Sequence, residues 1–486
     1  MTPLEALKHY FGLSEFREPQ AEIIEAIMSG RDTLALLPTG SGKSLCFQIP
    51  ALLLPNLTVV ISPLIALMED QVAHLQEKGI TATFFSSQLS RDEQQIRIAE
   101  VQTGRWKILY CTPERLQQKS FQSVLAKQGI SQLVVDEAHC ISEWGHDFRP
   151  EYRQIPQTFS VCKVRPVVTA FTATATKKTA ADIITSLEQV NPKIFSLPPI
   201  RKNIMLNFLP CQNTMEKTVH LTRLLQKHTG ETGVIYVATR AATEDVLAVL
   251  KHSLPSSTQN MTNYHGGMEF AERAEKQQLF MTGNVRVLVA TTAFGMGIDK
   301  ADVRFVIHYH PPASIEQYYQ EVGRAGRDGK PSVGYVLLLR KDFKVLAHIH
   351  LAGKQVKLRA HAKWKLQKVA HLLYGHTCST KNIATYFSQS QSNTCDTCDR
   401  CSKEARREPL VRTLINEKEK LNIQKLERWK KNEARLQSPY HIATDLQILV
   451  LASFRPKNEA TCSKLPGFGT GWCKQFWASY QAHMVQ

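Results

Sequence analysis

Leu36-Leu37-Pro38-Thr39-Gly40-Ser41-Gly42-Lys43-Ser44 decides how the rest of this chain is read. The apolar run Thr33 to Leu37 enters it as a buried strand. Leu45 to Leu54, mostly apolar, follows as the start of a helix that Pro50 is expected to interrupt. Strand, glycine-rich loop and helix form the context in which a Walker A match carries weight. Glycines let backbone N–H groups curl around phosphate oxygens, and the helix N-terminus adds a favourable dipole. In this reading Thr39, Gly40, Ser41 and Gly42 cradle the phosphates, Lys43 reaches the β and γ phosphates, and Ser44 ligates Mg²⁺. Leu37 stands where the generic pattern begins with glycine, so the match is to the shorter Thr-Gly-x-Gly-Lys-Ser form. Taken by itself, the stretch also reads as a Gly/Ser turn beside a surface lysine.

The chain has 486 residues, room for about three domains at ~150 residues each. Lys and Arg total 60 against 43 Asp and Glu, a net charge of +17. Such a surplus favours a polyanionic partner, because each neutralised phosphate releases counterions; an acidic membrane surface is the other candidate. No apolar run approaches the ~20 residues needed to span a bilayer, and Met1 to Tyr10 lacks the apolar segment of a secretory signal. The expected compartment is therefore the cytoplasm, where disulfides are rare. Of eleven cysteines, several sit in apolar runs, as Cys46 and Cys111 do, and read as small buried hydrophobes.

Upstream of the phosphate loop, Phe16-Arg17-Glu18-Pro19-Gln20 precedes an expected helix, Ala21 to Met28. Gln20 has the acceptor and donors to read the N6 and N7 edge of adenine, and Arg17 could stack on the base. The plain alternative for Gln20 is a solvated helix start. Downstream, short runs recur that are apolar on both alternations: Leu57 to Ile61, Ile108 to Cys111, Leu133 to Val135, Pro166 to Phe171. They read as parallel strands covered on both faces, with polar chemistry at their carboxyl ends. Asp136-Glu137-Ala138-His139 closes one of them. A strand-terminal Asp136 can hold Mg²⁺, and Glu137 can polarise the attacking water as general base. Two aromatics, a His and an Arg follow within Cys140 to Tyr152. They either stack on bases of a single strand or anchor a loop to the core.

A second series follows: Gly233 to Val237, Val285 to Ala290, Val303 to Ile307, Val333 to Leu339. It has no phosphate loop. It does carry Gln320 to Gly329, in which Arg324 and Arg327 point the same way if the stretch is helical. Across a cleft they could clamp a γ-phosphate as arginine fingers.

These stretches together resemble the RecQ family of superfamily 2 helicases. The resemblance rests on Phe16-Arg17 with Gln20, Thr39 to Ser44, Ser62-Pro63-Leu64, Thr112-Pro113-Glu114-Arg115, Asp136 to His139 running into Trp144 to Tyr152, Thr172 to Thr176, Ala290 to Asp299, and Gln320 to Gly329. It implies an α/β protein with two RecA-like parallel-sheet lobes and ATP between them. It also implies a nucleotide-site role for Asp299, and an aromatic-rich loop in which Trp144, His146, Phe148 and Arg149 sense single-stranded DNA and link it to hydrolysis. The implied activity is 3′-to-5′ ATP-dependent unwinding in DNA repair, recombination and replication; an ATP-driven translocase with weak strand separation is the alternative. Implied partners are single-stranded, forked or recombination DNA and a single-strand-binding protein, at the nucleoid. One departure is Leu13, where the family usually carries an aromatic or His to stack on adenine.

Cys395, Cys398 and Cys401 stand at x2 spacings, with Cys378 upstream. Four thiolates suit a closed, tetrahedral structural Zn²⁺, so His371 and His376 are unnecessary as ligands. The set resembles the RecQ zinc subdomain. About 85 residues remain after Cys401, which leaves no room for the winged helix of longer relatives. They more loosely resemble a helical HRDC domain, with Gly467-Phe468-Gly469 as a turn that could grip DNA backbone. The expected boundaries are 1–205 and 206–342 for the lobes, 343–404 for the zinc subdomain and 405–486 for the HRDC-like bundle.

Overall fold

The computed structural model describes residues 1–38, 40–86, 89–142, 148–198, 200–254, 260–295, 300–352, 356–389, 394–402, 417–433, 442–443, 447–448, 451, 456–463, 468 and 470–485. Thirteen strands among them form two all-parallel sheets. The first contains β1 (Thr33–Leu36), β2 (Leu57–Ile61), β3 (Ala82–Phe85), β4 (Ile108–Cys111), β5 (Ile130–Val135), β6 (Val167–Thr172) and β7 (Lys193–Ser196), in the order β3-β4-β2-β5-β6-β1-β7. The second contains β8 (Ile204–Pro210), β9 (Thr232–Tyr236), β10 (Met261–Tyr264), β11 (Val287–Ala290), β12 (Val303–His308) and β13 (Ser332–Leu338), in the order β10-β11-β9-β12-β13-β8. These are the two RecA-like lobes.

Burial explains why these segments are strands. Every residue of β2, β4 and β11 is buried. Apolar side chains on both faces need helices on both sides, which parallel crossovers supply. The first sheet accordingly has two apolar layers, one around Leu133, Val135 and Tyr152, the other around Val134, Phe47 and Phe171. Because all the strands run the same way, their carboxyl ends share one edge, and the phosphate loop and the Asp136-Glu137 pair both leave from it.

Pro50 does not end the helix after the phosphate loop, which runs Lys43–Leu53. The proline removes one donor, but its own carbonyl accepts from Leu54 N at 2.8 Å. Burial of Cys46 to Ala51 holds the helix together across the missing bond. The chain then leaves β7, on the edge of the first sheet, and enters β8, on the edge of the second.

Helices Arg340–Leu351, Val356–Tyr374 and Ser379–Tyr386 carry the chain to the cysteine cluster. The cluster's loop continues the second sheet past its β8 edge. Leu206 N donates to Thr397 O at 2.7 Å and Asp399 N to Leu206 O at 2.9 Å, while Phe208 N donates to Asp399 Oδ2 at 3.1 Å. Arg400 donates to the Leu372, Leu373 and Thr377 carbonyls, closing the C-terminal end of the preceding long helix. Farther on, helices Glu417–Glu433, Glu459–Cys462 and Thr470–Val485 surround Trp429. Its Nε1 donates to Ser479 Oγ at 2.9 Å, and its ring meets Trp472 and Tyr480 edge-on. Phe468 belongs to this core, buried against Trp472; Gly467 and Gly469 beside it lie outside the described residues.

Candidate nucleotide site between the lobes

Gly40 and Gly42 both adopt φ of +78°, the left-handed region that glycine reaches without strain. At Gly42 the space is also closed, since a Cβ there would collide with Gln20 Nε2. Gln20 is not a solvated helix start. It is 2% exposed, and its Nε2 donates to Ser41 O at 3.0 Å and Gly42 O at 3.2 Å while its Oε1 accepts from Arg17 N at 2.9 Å. The side chain therefore braces the phosphate loop from behind, and the Arg17 side chain is exposed nearby. Lys43 and Ser44 open the helix that Gly42 caps, so their backbone N–H groups are among the unpaired donors at its start. The positive-φ glycines, the helix start and Lys43 fit a nucleotide's phosphates. Thr39 lies outside the described residues.

The acidic pair sits at the end of β5. Asp136 N donates to Ile61 O at 2.9 Å, and Glu137 N donates to Asp136 Oδ1 at 2.9 Å. Tyr152 holds the Asp136 carbonyl from below, at 3.2 Å. Glu137 takes φ 47°, ψ 44°, a left-handed conformation that costs a non-glycine residue about 1–2 kcal/mol. That turn brings Glu137 Oε2 to 3.2 Å from His139 Nδ1, which also lies 2.9 Å from Thr172 Oγ1. The acids of β5 are thereby linked to the end of β6. Burial and the neighbouring Glu137 charge raise the Asp136 pKa, with Lys43 opposing. A carboxyl so placed gains from a divalent cation, which fits Ser44 and Asp136 as the residues that would hold Mg²⁺.

The helix Ile315–Val322 stops short of both arginines, which lie in the turn that follows. They do not share a face. Arg327 reaches the first lobe, where its Cγ would be 3.3 Å from a Cβ placed on Gly40. Arg324 is 8% exposed within the second lobe, against Gly295 and near the Tyr236 hydroxyl, which donates to Phe294 O at 2.8 Å. The i, i+3 geometry expected of a helix is lost because Gly326 takes φ +61° and redirects the chain.

One contributor escaped the sequence reading. Arg201, between β7 and β8, donates to the carbonyls of Gly323, Ala325 and Gly326. No motif marked it, since a lone Arg-Lys-Asn between strands has no recognisable pattern.

Trp144, His146 and Asp299 lie outside the described residues. Phe148 is 36% exposed, with the Arg153 guanidinium 5.2 Å from its ring centre. Arg149 donates to Pro63 O at 3.2 Å, tying the start of its segment to the loop after β2.

The four thiols converge. The sulfurs of Cys378, Cys395, Cys398 and Cys401 all lie within 4.8 Å of one another, and among the described residues no histidine joins the set. Tetrahedral Zn–S bonds of ~2.3 Å would put sulfurs roughly 3.8 Å apart; Cys378 and Cys395 are 3.5 Å apart, Cys378 and Cys398 4.0 Å. The set fits zinc, which would be structural there. On the helix before it, Trp364 stacks between His361 and Tyr386 on a basic face.

The DEAD/DEAH box helicase family profile matches residues 17–183, and the helicase conserved C-terminal domain profile matches 216–329. The chain is 42% identical over 351 residues to the probable ATP-dependent DNA helicase RecS of Bacillus subtilis, covering 72% of this chain and 69% of that one. It is 39% identical over 404 residues to the ATP-dependent DNA helicase RecQ of Pasteurella multocida, covering 82% of this chain but 62% of the relative. It thus spans about three fifths of the length of that longer relative. A solved structure of the Mycobacterium smegmatis helicase Lhr bound to ssDNA and AMP-PNP superposes with a TM-score of 0.57 at 21% identity, over 71% of this chain and 50% of that one, a likeness of fold. With its paired lobes, its phosphate loop and acids on one edge, its four convergent thiols and these identities, the chain belongs to the RecQ family of helicases.

Proposed function

We propose that the protein is an ATP-dependent DNA helicase that moves 3′ to 5′ and couples single-strand-stimulated ATP hydrolysis to duplex unwinding in repair, recombination or replication. The observation that carries this reading is the approach of Arg327 to Gly40 from the opposite lobe. Gly40, Ser41, Gly42 and Lys43 bind the phosphates. Ser44 and Asp136 would hold Mg²⁺, which would supply positive charge against the phosphates. Glu137 orients the attacking water and takes up its proton at a carboxylate oxygen. Arg327 supplies positive charge where it grows in the transition state, and Arg324 supports it from within the second lobe. Because Arg327 comes from the other lobe, the site is complete only when the lobes are together, so hydrolysis alternates with their separation.

Trp144, His146, Phe148 and Arg149 are assigned to the single strand, and Asp299 to the nucleotide. His139 supports this coupling, since it joins the acid pair to Thr172 at the next strand end. The +17 charge supports DNA phosphates as the partner. A single-strand-binding protein, a location at the nucleoid, an HRDC-like role for residues 405–486 and the domain boundaries given above belong to the same reading.

The test is a forked-duplex unwinding assay with 3′ or 5′ tails, run beside ATP turnover with and without single-stranded DNA. The expected result is stimulated turnover and unwinding only with the 3′ tail. Equal turnover with and without DNA would overturn the reading; stimulated turnover without strand separation would replace unwinding by translocation.

A further inference from the structure

The segment that joins the lobes carries a cation into the nucleotide site. Arg201 Nη1 donates to Gly326 O at 2.9 Å, and Nη2 donates to Gly323 O at 2.5 Å and Ala325 O at 2.7 Å. These carbonyls belong to the turn that bears Arg324 and Arg327. The same Nη1 would lie 3.2 Å from a Cβ placed on Gly40, beside the Cγ of Arg327 at 3.3 Å. Two residues later, Asn203 Nδ2 donates to Gly326 O and to Lys330 O, both at 2.8 Å. The hinge therefore grips the finger-bearing turn twice, and one of the grips touches the phosphate loop.

We propose that Arg201 is a positioning residue that clasps the 323–327 turn by its carbonyls, aims Arg327 at the terminal phosphate, and makes lobe closure depend on the charge held in the phosphate loop. The proposal rests on the ATP-site reading above.

Two parts of the Arg201 side chain's chemistry matter, its shape and its charge. A guanidinium is a flat fork with five donors, so it can satisfy three carbonyls of one tight turn at once; a lysine ammonium has no such geometry. The second part is charge. Arg201 and Arg327 converge on the same glycine, and burial and the Arg327 charge pull the Arg201 pKa down to about 10, which still leaves it cationic at neutral pH. Phosphate oxygens between the two relieve that repulsion. When the terminal phosphate leaves, the repulsion returns, and Arg201 stays bonded to the turn and moves with it away from Gly40.

The experiment uses the full chain, saturated with single-stranded DNA. Arg201→Gln is expected to lower kcat about 10- to 100-fold, the effect of a misplaced finger, while KM for ATP and the Kd for single-stranded DNA stay within about threefold. Arg201→Lys keeps the charge without the fork, and is expected to recover less than about a third of the lost kcat. Parental kcat in Arg201→Gln, full recovery in Arg201→Lys, or a loss appearing entirely in KM would overturn the proposal. Should Arg201→Gln fail to fold, Asn203→Ala removes the second tether and no charge; it is expected to lower kcat about threefold to tenfold, and parental kcat there would overturn the proposal. Failure of the functional reading is separate, because it appears in the unsubstituted protein as turnover indifferent to DNA.

Discussion

Arg327 packs its stem against Gly40, with Cγ 3.3 Å from where a Cβ on that glycine would lie, while its neighbour Arg324 is buried in the second lobe against Gly295. Two arginines that look equivalent along the chain therefore sit in different surroundings. Arg327→Ala is expected to lower DNA-stimulated kcat about 10²- to 10³-fold with an unchanged melting temperature. Arg324→Ala is expected to lower kcat and also to melt several degrees earlier, since it empties a buried site. Thermal melting beside steady-state kinetics separates them; equal melting would put both arginines in the cleft.

Gln20 braces the phosphate loop through Ser41 and Gly42. Each bond contributes about 1 kcal/mol, so Gln20→Ala is expected to raise KM roughly tenfold. The rise should be similar for ATP and GTP, because the lost bonds are to the loop. A rise confined to ATP would assign the amide to adenine. Leu13, 45% exposed, offers no ring to stack on a base, and the parental preference for ATP over GTP is expected to be weak.

Thr172 Oγ1 lies 2.9 Å from His139 Nδ1. Thr172→Val keeps the shape and deletes that partner. Basal ATP turnover is expected to persist, while stimulation by single-stranded DNA drops roughly tenfold, the equivalent of about one lost hydrogen bond. Turnover assayed across a DNA titration decides it; intact stimulation would detach His139 from the coupling path.

The cysteine loop is tied to β8 through Leu206 and Phe208. Cys398→Ser is expected to abolish stoichiometric zinc by atomic absorption and to lower the melting temperature by at least about 5 °C. A metal-free, equally stable variant would show that hydrogen bonds alone hold the loop.

His310 is partly buried, and desolvation together with the nearby Lys217 charge pushes its pKa well below the ordinary value. Its Nδ1 accepts from Ala238 N at 3.2 Å, which requires the neutral ring. The unfolded chain protonates this histidine near pH ~6.5 and the folded chain does not. Stability contributed here is thus present above that pH and falls as pH drops below it, by up to about 1.4 kcal/mol per unit. Urea midpoints at pH 7 and pH 5.5 should show the loss, and His310→Asn should reduce it.

What could be seen in the chain and what could not follows from how each element is buried. Nine strands were legible, among them β2 and β4 to the residue, because each lies between two neighbours and is apolar on both faces. The four that escaped, β3, β7, β8 and β10, are the four edges of the two sheets. A strand at an edge has one neighbouring strand in its sheet and need not be apolar throughout; in Lys193–Ser196 only Phe195 is buried, and Ile194 is 54% exposed. The phosphate loop, the acid pair and the cysteine quartet were visible because their chemistry demands particular residues at short spacing. The bracing by Gln20, the parting of Arg324 from Arg327 and the clasp by Arg201 were not, because each depends on which segments, distant along the chain, meet in the folded lobes and across the cleft, and no local pattern records that meeting.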